Sequence, residues 1–267
     1  MKREVSANLD VRVHATSVLE FQIAVARQDR VELDERIDFQ LDGRGIAARE
    51  VIGPHGNRIH VLDCPAGYLQ VRYSATVLGA ARPEPVSDHD RVVYVRPSRY
   101  AESDKLFGFA ATEFGYKPSD PELPARVSAW VGRRISYLPG SSAPIDGAVE
   151  TLLSSAGVCR DFSHLMVALL RAVAVPARVV AVYAPGCVPM DFHSVVEACV
   201  DSTWQVFDPT RLAPRSSLVR IATGRDASDL AFLVNHGGDI TMTGLWVNAF
   251  IQGPLPHDDI TRPTSIG

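Results

Sequence analysis

The chain has 267 residues, 46% of them apolar and 22% charged, with a formal net charge of −4 at pH 7. That is the composition of an ordinary globular protein with room for one large or two smaller domains. The negative balance, with no Lys/Arg-dense stripe, speaks against nucleic-acid binding, and no apolar run reaches the roughly 18 residues a membrane span needs.

The first residues, Met1-Lys2-Arg3-Glu4-Val5-Ser6-Ala7-Asn8, lead into a strand rather than an apolar leader. Residues 9–80 read as β. Val11, Val13, Val18, Phe21, Ile23 and Val25 mark a first strand pair, and 46–51, 58–63 and 68–77 follow. The turn signals Gly53-Pro54-His55-Gly56 and Pro65-Ala66-Gly67 separate them, which suits a small antiparallel sandwich over residues 1–85. His14, His55, His60 and Cys64 fall in this region with no metal-ligand spacing between them.

Residues 81–90 are rich in proline and charge and read as a linker, leaving 92–267 as a second unit. Ser103-Asp104 caps a helix through Phe107 to Phe114, stopped by Gly115. Ser119-Asp120-Pro121 opens another through Val127, Trp130 and Val131, and a short helix covers 148–153. The next helix carries the stripe Phe162, Leu165, Met166, Leu169, Leu170 and Val173, and Cys159 sits in its first turn. Unpaired N–H groups and the positive dipole end there favour a reactive thiolate. By itself such a cysteine is more often an inert core residue.

Its partners come next. After a strand over 177–183, the β-branched run from His193 to Val200 and the run from Thr203 to Phe207 form a hairpin, which Pro209 ends. A two-residue turn at Asp201-Ser202 pairs Val200 with Thr203, Ala198 with Gln205 and Val195 with Asp208. His193 and Asp208 then become diagonal neighbours on one face, an imidazole beside the carboxylate that orients it. An odd-length loop would send Asp208 to the other face. The tail adds strands at 218–222 and 241–251 with Asp226 to Val234 between them, and Arg225, Asp226 and Asp229 read as an Arg–Asp lock on a loop.

Other polar residues nearby take structural readings. His164, five helical positions from Cys159, lies about 140° away around the axis and packs or caps a neighbour. Asp161 suits the dipole but must turn from the thiol, whose negative form it would oppose. Glu197 is about 13 Å along the strand from His193 and reads as a structural carboxylate. Cys187 and Cys199 read as a loop thiol and a core thiol. No metal pattern joins Cys159, His164, Cys187, His193 and Cys199, so neither a metal nor a cofactor is expected. The Cys159 N–H is a natural oxyanion donor, and Tyr137 is a candidate second donor, although filling a gap is the simpler reading.

Gly157-Val158-Cys159-Arg160-Asp161-Phe162-Ser163-His164-Leu165, Arg171 to Arg178, His193 to Glu197, Trp204 to Pro209 and Thr223 to Asp229 together resemble the transglutaminase core. They resemble in particular the bacterial transglutaminase-like group of cysteine proteases, over about residues 92–250. The resemblance implies an α+β, papain-like fold preceded by a small antiparallel β domain. It further implies a triad in which Cys159 attacks an amide carbonyl, His193 shuttles the proton and Asp208 orients His193. The family commonly has a small residue and then Trp after the histidine, where this chain has Ser194-Val195, so the channel wall must differ. The calcium of animal relatives has no acidic loop here. The expected activity is thiol hydrolysis of peptide or glutamine-type amides through a thioester. Acyl transfer or deamidation at glutamine, or a non-catalytic module keeping the fold, are the alternatives. The expected partner is a peptide or protein substrate rather than nucleic acid or membrane. Four cysteines make no disulfide framework in a chain this long, and a reducing, cytoplasmic setting is expected.

Overall fold

A computed structural model describes residues 1–266. Seven strands open the chain: β1 (Lys2–Val13), β2 (Ser17–Phe21), β3 (Val31–Leu41), β4 (Arg44–Gly45), β5 (Arg49–Ile52), β6 (Arg58–Cys64) and β7 (Gly67–Gly79). Alternation dictates their packing, because successive strand residues point to opposite faces. Val5, Ala7, Leu9 and Val11 of β1 and Leu69, Val71, Tyr73 and Ala75 of β7 turn inward and are buried, while their neighbours face water. Val31, Leu33, Ile37 and Leu41 of β3 pack against the same core. The sequence reading passes over β3 because Glu35 interrupts its apolar alternation. That carboxylate is instead taken in by Arg58 and by the Tyr73 hydroxyl, which donates to it at 2.8 Å.

Six helices and six strands follow before the chain returns. Helix α1 (Asp88–Val93) starts with a capping box in which Ser87 and Asp90 satisfy each other's backbone N–H. Next come α2 (Ser103–Phe114), α3 (Leu123–Arg134), β8 (Ser136–Tyr137), α4 (Ala148–Ser154), β9 (Ala156–Gly157) and α5 (Cys159–Ala172). Strands β10 (Ala177–Tyr183), β11 (Phe192–Val200), β12 (Thr203–Phe207) and β13 (Val219–Gly224) form an antiparallel sheet in the order β12-β11-β10-β13. Helix α5 lies on this sheet with α2, α3 and α4 around it, so it is buried on nearly every side rather than along one stripe. A mixed α+β core behind an antiparallel sandwich is the expected fold class.

After α6 (Ala227–Leu230) come β14 (Leu233–His236) and β15 (Ile240–Ile251). Both join the N-terminal sandwich, whose sheets run β15-β1-β7-β3-β4 and β14-β2-β6-β5. The sequence division into 1–85 and 92–267 therefore separates strands that pair, with Arg3 opposite Ile251 and Phe21 opposite Leu233. Periodicity marks a strand but does not name its distant partner. Residues 23–26 also differ from expectation: they are buried outside any strand, where Val25 N–H donates to the Tyr73 hydroxyl and the Tyr183 hydroxyl donates to the Ile23 carbonyl. They fill the seam between sandwich and core.

The seam is also held by charge. Glu197 and Arg178 are fully buried, and Arg220 nearly so; both guanidinium groups donate to Glu197. Burial pushes the Glu197 carboxyl up, but its two arginines outweigh that and hold it below the usual carboxylate range. Arg178 also reaches Glu84 at 2.6 Å and stacks 4.1 Å from the Trp204 ring, tying residues 81–90 to the core sheet.

Candidate active site

Cys159 is the first residue of α5, its sulfur half-buried. The turn before it is shaped by Asp161, which accepts from the Val158 N–H at 2.8 Å and from Ser142 Oγ at 2.7 Å. Arg160 balances its charge at 2.9 Å, so the carboxylate faces away from the thiol, as its position requires. Gly157 is fixed by this arrangement, because a Cβ there would stand 2.6 Å from the Asp161 Cβ.

The β11–β12 hairpin has the expected register, with Val200 opposite Thr203, Ala198 opposite Gln205 and Val196 opposite Phe207. Asp201 and Ser202 both take positive φ, 47° and 62°, the pattern of a type I′ turn matched to strand twist. One step beyond the last pair, Asp208 returns beneath His193, and His193 Nε2 lies 2.9 Å from Asp208 Oδ2. Cys159 lies near enough to the ring to help hold its proton, and its sulfur sits 4.0 Å from the Phe192 carbonyl. Since Nε2 is taken by Asp208, Nδ1 is the nitrogen left for the sulfur. The structure thus brings Cys159, His193 and Asp208 together.

The electrostatics follow from burial and pairing. Burial alone would push the His193 imidazolium down; the Asp208 carboxylate and the Cys159 thiol outweigh it and hold the group well above its ordinary value. Burial raises Asp208, but His193 and Thr210 more than compensate and keep it below the usual carboxylate range. Thr210 is a supporting residue that the sequence reading missed: its N–H and its hydroxyl donate to Asp208 Oδ1 at 2.9 and 2.6 Å. The signal was present in Asp208-Pro209-Thr210, an Asx-type turn in which a carboxylate binds backbone two residues on.

Strand β8 runs parallel to β9 with Tyr137 beside Gly157, which brings the phenol close to Cys159 and sets its ring 6.0 Å from that of Phe162. Burial and the nearby Cys159, Cys187 and Asp191 push this phenol up to about 12, so it stays protonated. On the other side of the histidine, Phe192 stacks on Phe232 at 5.2 Å and tilts against Tyr183 at 5.6 Å. Val195 instead points into a buried apolar cluster beneath the sheet.

The remaining polar residues take structural places. His164 is fully buried, stacks on Tyr100 at 5.3 Å and accepts from the Ala227 N–H at 3.1 Å, capping α6. Burial pushes its imidazolium down to about 4. Arg225 and Asp229 pair at 2.9 Å, and Asp226 accepts from the Tyr100 and Ser228 N–H groups, which is the expected loop lock. Cys199 is half-buried near Arg91, whereas Cys187 is a buried loop thiol whose proton is held on by burial. Among the described residues no group of three or more His, Cys, Asp or Glu side chains could hold a metal ion. Among the described residues no helix is long and apolar enough to cross a membrane.

Residues 110–209 match the model of the transglutaminase-like superfamily, a span that contains all three site residues. A curated relative, the uncharacterized protein ML0607 of Mycobacterium leprae, is 27% identical over 114 residues; the match covers 39% of this chain and 40% of that protein's length. The crystal structure of a putative cysteine protease from Cytophaga hutchinsonii superimposes with a TM-score of 0.86 at 30% identity, covering 97% of this chain and 94% of the other. With a relative of that identity matched along nearly its whole length, sandwich included, the chain belongs to the transglutaminase-like superfamily.

Proposed function

We propose that the protein is a thiol-dependent hydrolase of peptide or glutamine-type amides, acting through Cys159, His193 and Asp208. The observation that carries this reading is the buried 2.9 Å pair of His193 and Asp208 with the ring's other nitrogen left for the Cys159 thiol. In the resting site the thiol proton moves to His193, leaving a thiolate beside an imidazolium that Asp208 stabilises. The thiolate attacks the amide carbon, and the carbonyl oxygen becomes an oxyanion. The Cys159 N–H, at the helix start, donates to that oxygen. Tyr137, close to Cys159 and kept protonated, supplies a second donor. His193 then gives its proton to the departing nitrogen, leaving a thioester on Cys159. Water, deprotonated by His193, attacks the thioester, and the acid and free thiol are restored. A reducing, cytoplasmic setting fits this chemistry, since all four cysteines are free thiols.

The deciding experiment is product analysis by mass spectrometry with a library of glutamine-containing peptides, with and without an added primary amine. Shortened peptides or glutamate in place of glutamine are expected for the wild type and not for Cys159→Ala. Amine adducts in preference to acid would replace hydrolysis with acyl transfer. No product from either protein, while Cys159 alkylates normally, would refute an amidase.

A further inference from the structure

The sandwich carries a second surface that the chemistry at Cys159 does not use. It is the outer face of the sheet β15-β1-β7-β3, where the strand registers align side chains into cross-strand rows. One row runs Asn248, Ser6, Ser74, Arg36; the rows on either side begin with Trp246 and Phe250 on β15. The central row forms the floor of a concavity of about 610 Å³, with Phe250 at one rim. Trp246 and Phe250 are 54% and 59% exposed, against the burial normal for such large rings. Trp246 is also laid flat: its six-membered ring lies directly over Gly244, where any Cβ would collide with it. Glycine at that position lets an indole rest on the strand with one face open to solvent.

Between the two rings the hydrogen-bonding capacity is unspent. Among the described residues Ser74 and Arg36 make no side-chain hydrogen bond, and Asn248 makes only a long one, 3.5 Å, to Ser6 Oγ. The backbone of β1 and β7 is consumed within the sheet, so an extended peptide lying across the floor, as opposed to along the open edge of β15, would find no ladder to join. Charges of both signs stand around the floor, Glu4 and Asp34 against Arg36, so a polyanion meets no positive field. The apolar stations are separate rings rather than a continuous patch, which does not suit a lipid surface. What matches flat apolar stations alternating with hydroxyl, amide and guanidinium groups is a ligand whose rings have apolar faces and hydroxylated rims. Trp246 and Phe250 stand roughly 13 Å apart by strand rise, the length of a short oligosaccharide.

The geometry points to this face as a binding site for a neutral oligosaccharide chain, with sugar rings stacked on Trp246 and Phe250 and their hydroxyls bonded to Asn248, Ser74 and Arg36. The site is independent of the amide chemistry and would hold a glycan-bearing target against the sandwich.

The test uses the full chain with cellohexaose, xylohexaose and chitohexaose as probes, in calorimetric titrations supported by tryptophan fluorescence. Trp204 is fully buried and Trp130 lies on α3, so a binding-linked emission change that vanishes in Trp246→Ala reports this face. At least one hexasaccharide is expected to bind the wild type and to bind about tenfold or more weakly to both Trp246→Ala and Ser74→Tyr. Ser74→Tyr fills the floor without removing a ring, and alkylation of Cys159 should be unchanged in both variants. Absence of binding by all three probes at millimolar concentration would overturn the proposal, as would equal binding by wild type and variants. So would sedimentation showing that Trp246→Ala turns a dimer into a monomer while no sugar binds, which would make the face a contact between copies of the chain.

Discussion

Replacing Asp208 by asparagine should quieten the Cys159 thiol at mildly acidic pH while leaving the fold intact. The asparagine oxygen can still accept from the Thr210 N–H and hydroxyl, so the turn after β12 keeps its anchor. The other half of the side chain changes from acceptor to donor. His193 Nε2 must then accept, its single proton moves to Nδ1, and the nitrogen facing the sulfur can no longer take the thiol proton. The buried, charge-assisted bond lost from the imidazolium is worth about 1.5–3 kcal/mol. At 1.4 kcal/mol per factor of ten, the thiolate–imidazolium population falls roughly 10- to 150-fold. The assay is the rate of iodoacetamide alkylation at Cys159 between pH 5 and 9, followed by peptide mass spectrometry with buried Cys64 and Cys187 as internal references. The sign follows from the pair itself. His193 is raised, so its charged state persists as pH climbs past the ordinary histidine value and is lost through its own higher one; Asp208 is lowered, so the pair fails only in strong acid. With that imidazolium beside the sulfur, wild type should alkylate faster at pH 6 than Asp208→Asn. Equal rates at pH 6 would show that the ion pair does not activate the sulfur.

His164 supplies a separate titration. With its folded value about 4, it stays neutral in the native state, and the unfolded chain takes up the proton first. Stability should fall by roughly 2–3 kcal/mol between pH 7 and 4.5 from this group, and His164→Gln should flatten that part of the slope in urea unfolding. Glu197→Gln removes the carboxylate that Arg178 and Arg220 share in the seam and should cost about 3–5 kcal/mol in the same measurement; a loss below 1 kcal/mol would mean that their other partners or water make up for it. Gly157→Ala should cost about 1–3 kcal/mol by driving a methyl into Asp161, and should slow alkylation of Cys159 by shifting the start of α5.

Much of the site is written in local chemistry. Two turn residues that accept positive φ fix the hairpin register, and the register decides that Asp208 shares a face with His193. A small-residue turn before an apolar stripe places Cys159 at the first position of α5. Contacts that depend on the rest of the chain are not written so plainly. Glu35 breaks the alternation of β3 because its partner, Arg58, comes from another strand. Tyr137 comes beside Gly157, next to the Cys159 turn, only through the two-residue pairing of β8 with β9. The strand character of 241–251 is visible in its residues, but nothing local says that it lies beside β1 rather than in the core sheet. The two arginines that neutralise Glu197 likewise come from two other strands, β10 and β13.

The pairing of β1 with β15 also bears on how the molecule is born. In a nascent chain β1 emerges well before β15, so one flank of that strand stays open until β15 leaves the ribosome. Non-local closure of this kind is slow and exposes strand edges while it waits. Synthesis halted before residue 233 would yield the thiol, imidazole and carboxylate on an assembled core sheet beside a sandwich lacking two staves. A gathered thiol, imidazole and carboxylate and resistance to aggregation would then arrive at different moments of translation.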